Sequence, residues 1–139
     1  MDSFAKKYLI GLIGVAVLVA DWVYFGGDSR VAAINARLAE DPELASYVYP
    51  FRVRRIEDGI AVMGSPRSAQ VPVMRFLRTA FPRFGNTPVT DPEMMAAQAT
   101  LVERQSRAAE LAQADPDVDG VRWELDERWY AEQGVFLGP

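Results

Sequence analysis

Residues Tyr8 to Phe25, YLIGLIGVAVLVADWVYF, restrict the folding of this chain more than any other stretch, because eighteen residues there hold one charge, Asp21. A helix rises about 1.5 Å per residue, so the run covers roughly 27 Å, close to the ~30 Å hydrocarbon core of a bilayer. Lys6 and Lys7 precede it, and Trp22, Tyr24 and Phe25 close it, where amphipathic rings favour the headgroup level. These features predict an uncleaved single-pass transmembrane helix. Two other readings compete. The lysines, the apolar core Tyr8 to Ala20 and Leu18-Val19-Ala20 before Asp21 resemble a signal peptide, although Leu18 is too large for an A-x-A-like cleavage site. A buried helix of a soluble protein is the third. Lys6 and Lys7 are expected on the cytoplasmic side, which places the remainder in the periplasm at a bacterial inner membrane.

Cysteine and histidine are both absent. That removes disulfides, thiolate metal sites and covalent c-type haem, together with the commonest metal ligand and catalytic base. No cofactor is expected. Charge is spread unevenly. Residues 51 to 90 hold seven arginines against Glu57 and Asp58, whereas residues 91 to 139 hold eleven acids against four arginines. Such asymmetry suits an anionic partner, and a solvated arginine-rich surface is the plain alternative.

Gly26-Gly27 ends the apolar run, and Asp28-Ser29 supply capping chemistry for a helix with Val31, Ile34 and Leu38 on one side. Asp41-Pro42 stops it. From Tyr49 the period becomes two: Tyr49, Phe51 and Val53 alternate with Arg52 and Arg54. Asp58-Gly59 reads as a hairpin turn into a second strand carrying Ile60 and Val62. Val73, Phe76, Leu77 and Ala80 then trace one face of a helix that has Pro72 in its first turn. Pro82 to Val89 is loop-like, and Thr90-Asp91-Pro92-Glu93 resembles a capping box for a helix to about Gln113. Val121, Trp123 and Leu125 alternate with charged residues as a last strand. The expected fold is α+β, in αββααβ order. A transmembrane anchor (1–27) leads into a domain (28–128) with strands near 49–56, 59–64 and 119–127 and helices near 72–81 and 91–113, then an aromatic tail (129–139). Phe51, Val53, Ile60, Val62, Phe76, Leu77, Leu101, Val121, Trp123 and Leu125 are the expected core.

Three segments share a pattern: Val31 to Leu44 (VAAINARLAEDPEL), Phe51-Arg52-Val53, and Asp58 to Ser68 (DGIAVMGSPRS). With Val118 to Leu125 (VDGVRWEL) closing the series, the region from about residue 30 to 126 resembles a BON domain. Val73 to Val89 stands as an insertion that adds a helix. The resemblance implies a non-enzymatic periplasmic or membrane-associated module, of a kind linked to phospholipid surfaces or to assembly of envelope proteins. It carries over no catalytic residues.

Asp115, Asp117, Asp119 and Gly120 match the start of a calcium loop, but Asp126 stands where a bidentate glutamate is usual and a strand follows where a helix is needed. An acidic turn is the simpler reading. Ser65, Ser68 and Ser106 have no histidine to activate them, so the chain is read as not an enzyme. The expected role is an accessory or structural subunit of a larger integral-membrane assembly, with photosynthetic and respiratory complexes as the first guess. The alternative is an independent lipid-surface module. Expected partners are other integral-membrane subunits and membrane lipid, and no nucleic acid. Partner contacts are assigned to Gly11, Gly14, Trp22 and Tyr24 in the anchor and to Trp129, Tyr130, Phe136 and Leu137 in the tail. A tail folded over its own domain is the competing explanation. Arg52, Arg54, Arg75 and Arg78 are assigned to an anionic surface.

Overall fold

The structure, a computed structural model, describes residues 29–137. Helix α1, Ser29–Glu40, buries Ile34 and Leu38, the two positions that its period of about four puts on one face. Asp41 ends it and starts the next element. Its side chain accepts from the Leu44 N–H and caps α2, Pro42–Ala45, with Pro42 in the first turn.

Three strands follow from the alternating segments: β1 (Val53–Glu57), β2 (Ile60–Ser65) and β3 (Gly120–Leu125). The sheet order is β1-β2-β3, with β1 antiparallel and β3 parallel to the central strand. Asp58 and Gly59 both have positive φ, 50° and 78°, as a two-residue type I′ hairpin turn requires. A Cβ at Gly59 would also fall 2.5 Å from Asp119 Oδ2. Gly59→Ala is therefore expected to lower unfolding stability by about 1–2 kcal/mol, read from a urea melt, because both the backbone and the neighbour oppose it.

Helix α3, Val73–Ala80, buries Phe76 and Leu77. A 3-10 turn at Pro82–Phe84 inserts Phe84 into the core. Helix α4, Pro92–Gln113, lays Met94, Leu101, Ala108 and Ala112 into the core, and a short α5, Glu127–Glu132, follows β3. The N-cap of α4 is Asp91 and not Thr90. Pro92 fixes the first helical residue, so the side chain just before it accepts from the Glu93 and Met94 N–H groups.

The α+β class and the three-stranded sheet agree with the sequence reading, but the membrane-spanning part of that reading is corrected. Among the described residues no helix is long and apolar enough to cross a membrane. Helix α4 has the length, yet it carries Glu93, Glu103, Arg104, Arg107 and Glu110. The span placed at Tyr8 to Phe25, with Gly11, Gly14, Trp22 and Tyr24, lies outside the described residues.

Strand β1 starts later than expected, at Val53, although Tyr49, Phe51 and Val53 are all buried while Arg52 and Arg54 are exposed. The facing of β2 is the reverse of the expectation. Ala61 and Met63 join the core, whereas Ile60 is half-buried and Val62, though fully buried, lies on the opposite face. Val62 pairs with Arg55 on one side and Arg122 on the other, so the charged arms of its neighbours roof it. Val121, Trp123 and Leu125 line the core face as expected, half-buried because β3 is an edge.

Candidate interaction cleft

The outer face of the sheet is an ion-pair lattice. Arg55 bonds Glu124 through both terminal nitrogens, at 3.1 and 2.8 Å, and reaches Glu57 through Nε. Arg122 donates to Glu57 at 3.2 Å, and Arg54 lies 3.6 Å from Glu124 and 3.5 Å from Asp126. The Arg55 hydrogen bonds hold the carboxyls of Glu57 and Glu124 below their usual range, and those two acids hold Arg55 firmly protonated. Such exposed pairs orient side chains more than they stabilise the fold.

Where the lattice ends, the chain forms an open hollow of about 780 Å³, lined by Tyr49, Arg52, Arg54, Gly64, Asp126, Arg128, Trp129 and Glu132. Its wall is set by one half-buried contact: the Tyr49 hydroxyl donates to Asp126 Oδ2 at 2.8 Å. Burial, reinforced by that bond and by the Asp126 charge, raises the Tyr49 phenol far above its ordinary value, so it stays a donor. The other Asp126 oxygen accepts from the Trp129 N–H and starts α5. Gly64 is required beneath, since a Cβ there would lie 2.9 Å from the Tyr49 hydroxyl.

The arginines assigned to an anionic surface divide. Arg52 and Arg54 share the hollow, where Arg54 is engaged by two acids. Arg52 is exposed, with no ion pair to it among the described residues. Arg75 and Arg78 lie on α3, where Arg78 donates to the Thr87 carbonyl. Sequence reasoning missed Arg128, which extends from α5 at 89% side-chain exposure, 3.6 Å from Glu132. The signal was Asp126 three residues ahead of Trp129, a helix start that the alternation through Leu125 concealed.

Trp129 and Tyr130 correct the tail assignment. Both are buried: Trp129 packs against Tyr49, Phe76 and Tyr130, and the Tyr130 hydroxyl donates to the Pro66 carbonyl. Burial pushes the Tyr130 phenol up to about 12. Leu137 is half-buried against the core, and only Phe136 is well exposed, at 81%. Asp115 and Asp117 face Arg37 and Arg30, and Asp115 also accepts from the Asp117 N–H. No group of three potential ligands is placed to hold a metal among the described residues. No family model matches this sequence, and neither curated proteins nor solved structures give a match.

Proposed function

We propose that this chain is a non-enzymatic accessory module of a larger assembly, which docks an acidic segment of a partner protein in the Arg52–Arg128 hollow. The observation that carries the reading is the exposed Arg52, which has no ion pair among the described residues, set in one concavity with the exposed Arg54 and Arg128. Arginine presents a planar fork of donors that matches carboxylate geometry and is weakly hydrated, so it suits protein interfaces. The rigid aromatic wall behind it supplies apolar contact without loss of side-chain freedom. The resemblance of residues 30 to 126 to BON domains favours the same non-catalytic role.

The test is purification of the full chain in mild detergent with identification of stoichiometric partners, alongside an Arg52→Glu/Arg128→Glu double variant. Loss of partner from the variant, with an unchanged melting temperature, is the expected result. Co-sedimentation of the wild-type chain with anionic phospholipid vesicles, in the absence of any protein partner, would instead make the arginines a lipid contact and overturn the reading.

A further inference from the structure

The two edges of the sheet are finished differently. At β1, Val53 is clamped by a side chain: its N–H donates to Asn35 Oδ1 at 2.7 Å and its carbonyl accepts from Asn35 Nδ2 at 3.0 Å. The register then slips between Val53 and Arg55, and a bulge of this kind ends regular pairing. Strand β3 has none of these devices. It runs six residues in unbroken register with β2 and contains no proline or lysine.

The direction of its backbone groups follows from its ends. The N–H groups of Gly120 and Asp126 donate to Gly59 and Ser65 on the β2 side. Backbone groups alternate along a strand, so even-numbered residues face β2 and the N–H and C=O of Val121, Trp123 and Leu125 face outward. None of those outward groups is bonded among the described residues.

We propose that this edge pairs with the same edge of a second copy of the chain, antiparallel, about a two-fold axis at Trp123. The sequence GVRWEL is self-complementary about that residue. Trp123 meets the partner's Trp123 and Val121 meets the partner's Leu125, all through outward-facing groups that exchange both hydrogen bonds. Arg122 meets the partner's Glu124 on the outer face, an opposite-charge cross-strand pair made twice. Arg122 keeps donors for it, being 53% exposed with one nitrogen on Glu57. A slip of one residue would set outward-facing groups against inward-facing ones, so parity excludes it. The product is a continuous six-stranded sheet with both apolar faces on one side.

The register is read by disulfide trapping in the full, naturally cysteine-free chain. Differently tagged Arg122→Cys and Glu124→Cys chains are mixed and oxidised. Directly opposed, non-hydrogen-bonded positions lie about 4.5 Å apart at Cα, whereas like positions are diagonal at about 7–8 Å, too far for easy bridging. The mixed disulfide is expected well above about twice each same-variant product, the ratio that random pairing of equal amounts gives. That random ratio, or no disulfide, overturns the proposal. Light scattering adds a second readout: Val121→Pro removes an outward N–H without touching the β2 ladder, and should halve the protein mass. A folded Val121→Pro chain that stays dimeric refutes edge pairing; if that variant unfolds, the disulfide pattern decides.

Discussion

Trp129→Ala is expected to lower the unfolding free energy by about 3–5 kcal/mol, the range for deleting a large buried aromatic side chain. Its indole is 8% exposed and lies between three rings, with centroids 4.9 Å away at Tyr130, 5.3 Å at Phe76 and 5.8 Å at Tyr49. Two of the three are tethered against collapse into that space, the Tyr49 hydroxyl to Asp126 and the Tyr130 hydroxyl to the Pro66 carbonyl. Guanidinium unfolding of the variant measures the loss. A midpoint that does not move would mean that residues 127–132 are a docking tail and not part of the core.

Asp41→Ala should cost about 2–3 kcal/mol at neutral pH, because one carboxylate performs two tasks. One oxygen caps α2 through the Leu44 N–H, and the other accepts from Arg107 on α4 at 2.8 and 3.2 Å. The Arg107 hydrogen bond, with smaller backbone contributions, holds its carboxyl below the ordinary 3.8 despite the opposing effect of burial. A lowered folded-state value gives stability that is complete above 3.8 and drains away as pH falls through the lowered value. The gap between wild type and variant should therefore be widest at neutral pH and narrow below about pH 3.8, as acid melts of both proteins will show. A constant gap across that range would remove ionisation from the explanation.

The two-residue period of Tyr49, Phe51 and Val53 against Arg52 and Arg54 made the first strand's buried side readable, because the residue types on its two faces differ sharply. Strand β2 offered no such contrast. Ile60 and Val62 are more hydrophobic than Ala61 and Met63, yet the lesser pair is central, since the other face is covered by arginine and glutamate stems from both neighbouring strands. That cover is a tertiary fact, and periodicity within one strand does not contain it. The division of the arginine set is hidden for the same reason. Arg54 has no acid near it in sequence, but β3 and the helix cap after it bring Glu124 and Asp126 to it from some seventy positions away. Arg52 and Trp129 belong to separate expected surfaces in the sequence; their meeting in one hollow depends on α5, which begins inside the expected strand.

Asn35 has a consequence beyond local hydrogen bonding. A sheet with two bare edges can recruit copies at both and grow into a filament, as edge-strand aggregates do. Here the amide of one asparagine occupies the backbone of Val53, and the bulge beside it spoils the template, which leaves one regular edge on the sheet of the described residues. Association through the sheet then stops at two, and the same side chain that anchors α1 to β1 acts as a terminator of polymer growth.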